Sequence, residues 1–216
     1  MNHLDTTHLI ALAAALGWAS GIRLYAVVFI TGLVGYLGWV PLPTGLQLLQ
    51  QPVVLIASGV MVVIEFLADK VPLIDSIWDA VHTVIRIPAG AALAAGVVGG
   101  IGGVSGAAGG DAASWSLIAA LAGGTLAATA HATKATARAA VNTSPEPFSN
   151  IAVSLLEDGL VVGALWLAYE YPVLFFFALA IVLVLSVVLI VMLARFLRLL
   201  FNRLRGRGNA AAPSLT

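Results

Sequence analysis

The sequence has no cysteine and few charged residues. The absence of cysteine excludes disulfides, thiolate metal sites and cysteine nucleophiles, and it leaves the redox compartment undetermined. Charged residues make up 9% of the 216-residue chain, whereas a soluble domain carries about 25%. The formal net charge is zero, so the composition gives no reason to expect nucleic acid as a partner. These shortages argue against an ordinary soluble domain.

Apolar residues dominate the chain. They account for 61% of it, and the mean hydropathy is +1.04. A bilayer-spanning helix needs roughly 20 such residues. Because the apolar runs are continuous rather than alternating, they indicate helices and not a β-barrel. The sequence therefore predicts an all-α, polytopic membrane helix bundle of about six spans, with the lipid bilayer as its environment.

The predicted architecture is a single transmembrane domain, residues 1–205, followed by a disordered cytoplasmic tail, residues 206–216. The first span is long enough to be two half-helices, with a weak point at the glycines of GWASG, residues 17–21. The six spans are predicted at about 9–38, 52–70, 77–98, 114–138, 148–168 and 173–194.

The distribution of basic residues predicts the orientation. Five arginines lie between Arg195 and Arg207, and the positive-inside rule places that end in the cytoplasm. Six spans then place both termini there. The loops assigned to the outside, at residues 39–51, 99–113 and 169–172, contain no lysine or arginine, in agreement with this orientation.

Polar side chains form stripes on four of the predicted helices. Asp75, Asp79, His82 and Arg86 recur at helical spacing, so they share one face of the third span. Similar stripes lie at the same membrane end of the second, fourth and fifth spans. The candidate residues for solute or ion binding, or for a proton relay, are Arg23, Glu65, Asp69, Asp79, His82, Arg86, His131, Lys134, Arg138, Asn150, Glu157 and Asp158.

Several of these charges lie deep in the membrane. At a rise of 1.5 Å per residue, Arg86 and Asp158 lie roughly 15 Å from the ends of their spans, near the middle of the bilayer. An isolated charge there costs about 2.5–3.5 kcal/mol on insertion scales. The charges must therefore pair with one another or line a wet cavity. We expect a polar cavity that faces the cytoplasm.

Two segments share one pattern of charge. In EFLADKVPLIDSIWDAVHTVIR and in HATKATARAAVNTSPEPFSNIAVSLLED, a helix ends in charged residues, a proline-containing loop follows, and a second helix begins with a polar stripe. The pattern predicts two related polar helical hairpins. Transporters often place their binding site at such a repeat interface.

These same segments, with GWASGIRLY and SLLEDGL, resemble a bacterial membrane family known as the domain of unknown function DUF4126. The resemblance extends from the first to the fifth span and implies a bacterial inner-membrane location. One departure is local, since Ile87 separates Arg86 from the proline that would otherwise follow it directly. The family brings no activity, so the resemblance supports the architecture only.

Three functions remain open at this point. The first is a transporter or channel for a small polar or charged solute or ion, coupled to protons through His82, His131 and Glu157 or Asp158. The second is an intramembrane enzyme acting on a lipid-linked substrate, with metal held by His82 or His131 and nearby carboxylates, although no contiguous ligand motif is present. The third is a structural assembly factor. Cofactor, metal and oligomeric state, a homodimer included, are left undetermined.

Overall fold

The computed structural model describes residues 5–71, 74–99, 111–141 and 147–210. The regular structure of these residues is helical, which confirms the all-α prediction. The helices are α1 (Thr6–Tyr36), a 3-10 helix (Thr44–Gln50), α2 (Pro52–Ala68), α3 (Ile74–Gly99), α4 (Ala112–Val141), α5 (Pro147–Glu170) and α6 (Pro172–Ala210).

Five of these helices are long and apolar enough to cross a membrane. A sixth qualifies if the 3-10 helix and α2, which meet at an angle of 70°, count as one broken span. These five to six candidates confirm the prediction of a polytopic membrane helix bundle with about six spans. The apolar part of α6 ends at Phe196, but the helix continues to Ala210. Residues 206–210, predicted to be disordered, are thus helical, and 211–216 lie outside the described residues.

Local sequence signals explain where several helices begin. The Asp5 carboxylate accepts a hydrogen bond from the backbone N–H of His8 at 2.9 Å, and Asp111 accepts one from Ser114 at 2.6 Å. Each aspartate caps a helix N-terminus, and these hydrogen bonds lower the pKa of both carboxyl groups. Proline opens α2, α5 and α6, where its missing N–H would have no partner within the helix.

Helix α1 reverses its direction at Arg23. The backbone of this residue is non-helical, with φ −140° and ψ 76°. Leu12 and Thr31, on opposite sides of the break, line the same apolar pocket against Leu165 of α5. In one straight helix they would lie about 28 Å apart. Residues 6–22 and 24–36 are therefore the two arms of a helical hairpin whose tip is Arg23.

This reversal also determines where the start of the chain lies in the bundle. Ala11 and Ala15, near the start of α1, pack against Ala168 and Phe175 beside the turn between α5 and α6. Since α6 runs away from that turn, its arginine-rich end lies at the opposite end of the bundle from the start of α1. The sequence predicts both ends on one side because hydropathy represents residues 9–38 as one crossing and cannot register a change of direction.

The centre of the bundle is closed by small residues. A Cβ atom added to Gly17 would lie 2.7 Å from the Cα atom of Gly123, so α1 and α4 touch backbone to backbone. Gly90 of α3 packs against the same region of α1. Such close approach is typical of membrane helices, whose association depends on packing rather than on hydrophobic burial. The glycines predicted to weaken α1 thus serve packing, and the break falls two residues after them.

A buried charge network at the tip of the α1 hairpin

Charged side chains from five of the helical segments meet at the tip of the α1 hairpin. Nine of the ten side chains are at most 8% exposed, and Asp158, at 33%, is the exception. We call this set the charge network; its members are Arg23, Glu65, Asp69, Asp75, Asp79, Arg86, Lys134, Arg138, Glu157 and Asp158.

Arg23 connects the hairpin tip to two other segments. One of its terminal nitrogens lies 2.8 Å from the carboxylate of Asp69, directly after α2. Its Nε atom lies 3.0 Å from the Asp158 carboxylate on α5, and its other terminal nitrogen donates to the Ser154 hydroxyl at 2.8 Å. Because Arg23 is also the residue at which the helix breaks, these contacts fix the tip in place.

Arg86 joins α2, α3 and α4. Its guanidinium donates to the carboxylates of Glu65 at 2.6 Å and Asp79 at 2.7 Å. It also donates to the Nδ1 atom of His131 at 3.2 Å. The two hydrogen bonds to carboxylates are short and charge-assisted, and such bonds are roughly twice as strong as neutral ones.

The cations of α4 complete the network. The Lys134 ammonium lies 2.9 Å from the Asp69 carboxylate and 3.2 Å from that of Asp79. One turn further on, Arg138 donates to Glu157 at 2.9 Å and to the side-chain oxygen of Asn150 at 2.6 Å. Helix α4 therefore bridges the end of α2, the start of α3 and the start of α5.

The network lies at membrane depth. Arg86 is near the midpoint of α3, and Asp158 is near the midpoint of α5. Both helices qualify as membrane spans. The tip of the α1 hairpin, which contacts Asp158, therefore lies near the middle of a bilayer core about 30 Å thick.

The two histidines are hydrogen-bonded at the edge of the network. His82 pairs through Nε2 with the Tyr25 hydroxyl at 3.1 Å and through Nδ1 with the Trp78 carbonyl at 2.8 Å. Thr83 donates its hydroxyl proton to the Asp79 carbonyl, so it accepts from Nε2–H of His131 at 2.7 Å. His131 then accepts from the Arg86 guanidinium through Nδ1, which requires the neutral ring.

A family model described as "Domain of unknown function (DUF4126)" matches residues 10–192. The chain belongs to this family. The match confirms the resemblance, and its range includes every residue of the charge network. No curated protein and no solved structure matches the chain.

The structure brings together eleven of the twelve candidate residues predicted for the DUF4126 chain. His82 is the one that stands apart, since it bonds to Tyr25 and Trp78 rather than to a charged group. In the described residues, no group of three or more histidine, aspartate or glutamate side chains is arranged to hold a metal ion.

Sequence reasoning missed three further residues of the DUF4126 site. Asp75 is fully buried, and its carboxylate lies 3.7 Å from Arg138. The helical spacing indicates Asp75 as a site residue, because it lies one turn before Asp79 on the same face of α3. An aspartate at a helix start, however, also has the ordinary role of an N-cap. Ser154 and Tyr25, which bond to Arg23 and His82, carry no charge and gave no signal of comparable strength.

In this conformation the network is closed. Its side chains fill the space between the helices, and the pockets described beside it are lined mainly by apolar side chains. One of them reaches Lys134 and Glu157 from the side of α6, next to Thr133 and Ser186. The DUF4126 sequence predicts an open polar cavity here. In the structure, the charged side chains at this place are instead paired with one another.

Proposed function

We propose that this protein is a membrane transporter for a small polar or charged solute, and that the charge network is its site for solute binding and proton coupling. One observation carries the proposal: a broken helix places its tip, Arg23, among buried charges near the middle of the bilayer. Secondary transporters build their midplane sites from broken helices of this kind, and irregular backbone at that depth is tolerated where protein or water surrounds it.

The free-energy cost of the network supports a functional role. Each buried ion loses several kcal/mol of hydration, and replacing buried ion pairs by apolar residues of similar volume is often neutral or stabilising. Helices that only needed to be held together could use the small-residue packing seen between Gly17 and Gly123. Nine buried charges are therefore more than a packing role requires.

The two predicted hairpins have matching ion pairs of opposite polarity. Glu65 of α2 pairs with Arg86 of α3, whereas Arg138 of α4 pairs with Glu157 of α5. In both hairpins the two helices make few contacts with each other, while α1 packs against all four helices. This arrangement supports a proposed internal repeat of two hairpins around the α1 tip.

The network reaches the protein surface at one edge, where we place solute entry. Asp158 is 33% exposed there, and the Lys70 ammonium lies 3.4 Å from the Ser154 hydroxyl. Lys70, just after α2, and Arg138, in the last turn of α4, lie toward the end of the bundle at which α6 also ends, and solute would reach Asp158 from that end. By the positive-inside rule we assign it to the cytoplasm.

Asp158→Asn tests the transport proposal at the exposed edge. The variant protein would be reconstituted in liposomes containing a pH-sensitive dye and given sodium, potassium, ammonium, amino-acid or carboxylate solutes in turn. We expect the wild type to move protons with at least one solute. The asparagine variant should lose most of that flux, because it removes the exposed carboxylate of the network and one of the charged partners of Arg23. Glu170→Gln, the same change at the exposed far end of α5, should leave the flux unchanged.

Two outcomes would contradict transport. One is flux indistinguishable from protein-free liposomes for the whole panel, and the other is equal flux in the wild type and in Asp158→Asn. The second candidate function, a structural assembly factor, is favoured by the closure of the network. It predicts that Asp158→Asn alters stability or a partner contact and that no solute moves.

A further inference from the structure

A groove follows α6 on the side that packs against the rest of the bundle. It consists of two adjacent pockets, whose walls share the side chains of Trp18, Leu160 and Val182. Along α6 it extends from Phe175 to Ser186, a distance of about 16 Å. Both pockets are partly open, and because this part of α6 is a membrane span, they open to lipid. We call this space the α6 groove.

The half of the groove nearer Phe175 is an apolar gap between α5 and α6. Gly159 and Gly163 of α5 line it, and a Cβ atom added to either would meet no described atom within 4 Å. Small residues in membrane helices usually allow two helices to touch, as Gly17 and Gly123 do. Since α6 does not close on the glycines of α5, the gap has room for an apolar chain.

The half of the groove nearer Ser186 ends at the charge network. Lys134 and Glu157 line it, both side chains are more than nine-tenths buried, and Lys134 Nζ lies 3.6 Å from Glu157 Oε2. Thr133 and Ser186, which carry hydroxyl groups, line the same pocket. This end therefore offers charges of both signs beside hydroxyl groups, a combination that suits a polar group without net charge.

Trp18 lies where the two halves of the groove meet. Its side chain is 4% exposed, and its indole N–H has no hydrogen-bond partner among the residues that the structure describes. A buried tryptophan usually has such a partner, because an unpaired donor is costly in apolar surroundings. A ligand that is apolar on one side of Trp18 and polar on the other would bring an acceptor to this part of the groove.

The dimensions of the groove fit one acyl chain. Its length of about 16 Å is roughly half of a hydrocarbon core about 30 Å thick, which is the depth that one leaflet contributes. The volumes of the two pockets are about 150 and 200 Å³. Together they reach the lower end of the range of roughly 300–1,000 Å³ that ligand pockets occupy. The space therefore suits a single chain better than a two-chain phospholipid.

We propose that the α6 groove binds a single-chain amphiphile whose polar head group carries no net charge. The acyl chain lies along Gly159 and Gly163, and the head group lies at Lys134 and Glu157. Lys134 is about 10 Å from the end of α4 at Val141, so this head group is buried deeper than those of the surrounding lipids. Asp158, at the proposed solute entry, lines neither pocket, so the site does not depend on the proposed transport.

Photolabelling of the protein in phosphatidylcholine vesicles tests the site. The probe is a monoacylglycerol with a diazirine group in its acyl chain, and we expect saturable labelling within residues 159–167 and 175–182. By mass action, about a tenfold excess of a competitor of equal affinity should lower the labelling about tenfold. Monoacylglycerol and lysophosphatidylcholine should compete in this way, and the stronger competitor distinguishes an uncharged from a zwitterionic head group. Palmitate and dodecylamine, whose head groups carry a net charge, should compete weakly.

Gly163→Leu fills the apolar half of the groove. Because no described atom lies within 4 Å of the added Cβ, the variant should fold, and its labelling should fall to the level left by excess competitor. Ala180→Leu is the matched control. It adds side-chain volume at an exposed position of α6 that lines neither pocket, and it should keep the wild-type labelling.

Labelling that does not saturate, or that extends over the lipid-facing sides of other helices, would overturn the proposal by showing surrounding lipid only. Unchanged labelling in Gly163→Leu would also overturn it, and Gly159→Leu replaces that variant if it does not fold. Equal competition by all four amphiphiles would contradict the head group without net charge. Solute flux without saturable labelling would overturn this site alone, and saturable labelling without flux would overturn transport alone.

Discussion

The members of the charge network differ in how many charged partners each has. Arg86 donates to two carboxylates and one histidine, while Glu65 has Arg86 as its ion-pair partner among the described residues. Removing one member of a buried ion pair is far costlier than removing both, because a buried charge is left without compensation. We therefore expect a substitution to lower the free energy of unfolding more when it leaves more buried charges without a partner.

Arg86→Met should be the more damaging of two changes at this pair. It leaves Glu65 without its cation and weakens Asp79, so we expect a loss of about 3–5 kcal/mol in the free energy of unfolding in detergent. Glu65→Gln should cost less, since Arg86 keeps Asp79, and adding it to Arg86→Met should recover part of the loss. Arg198→Met, at an exposed position of α6, is the matched control. Wild-type melting of Arg86→Met would contradict the pairing.

Tyr25→Phe examines the edge of the network. The change removes the hydroxyl that lies 3.1 Å from His82 Nε2 and leaves the ring in place. We expect a loss of about 1 kcal/mol, the usual net value of one neutral hydrogen bond. Tyr36→Phe, in which the parent side chain is 58% exposed, should change nothing. Equal unfolding curves for the two variants would show that the Tyr25 hydroxyl does not stabilise the fold.

At the scale of helices, the sequence predicted those contacts that follow from the helical spacing of polar side chains. Asp79 and Arg86 share one face of α3, and antiparallel packing against α4 brings that face to Lys134. The polar stripe on α3 therefore predicted that the polar stripe on α4 would lie beside it. The reversal at Arg23 could not be predicted in this way. It depends on the backbone angles of a single residue within a uniformly apolar run, and hydropathy measures composition rather than direction.

Helix packing can be tested with one substitution at two glycines. Gly17→Ala would place a methyl group against the backbone of Gly123, and we expect the resulting overpacking to cost about 1–3 kcal/mol. Gly163→Ala of α5 meets no other atom within 4 Å and should be neutral, or stabilising by up to about 1 kcal/mol through helix propensity. The comparison uses melting temperatures in one detergent. A destabilised Gly163→Ala with an unaffected Gly17→Ala would contradict the packing.

At the scale of the whole molecule, the α1 hairpin changes the number of crossings. If α1 enters and leaves the bilayer on one side and the broken 3-10–α2 element crosses it, the chain crosses five times. The start of α1 then lies with the loops that lack lysine and arginine, while Lys70, Arg138 and the arginines of α6 share the other side. The basic residues therefore give the loops the same orientation as in the six-span prediction. The two arrangements differ only in the side of the membrane on which the N-terminus lies.

Cysteine labelling distinguishes the two arrangements cleanly, because the chain has no cysteine of its own. Thr7, Ala113 and Arg198 are exposed residues near the start of α1, the start of α4 and the end of α6. Each would be replaced by cysteine in turn and exposed to a membrane-impermeant maleimide before and after permeabilisation. Since α1 folds back, Thr7→Cys should react from the same side as Ala113→Cys, and Arg198→Cys from the opposite side. A straight α1 would instead place Thr7→Cys with Arg198→Cys, and the tip at Arg23 would lose its place at the centre of the site.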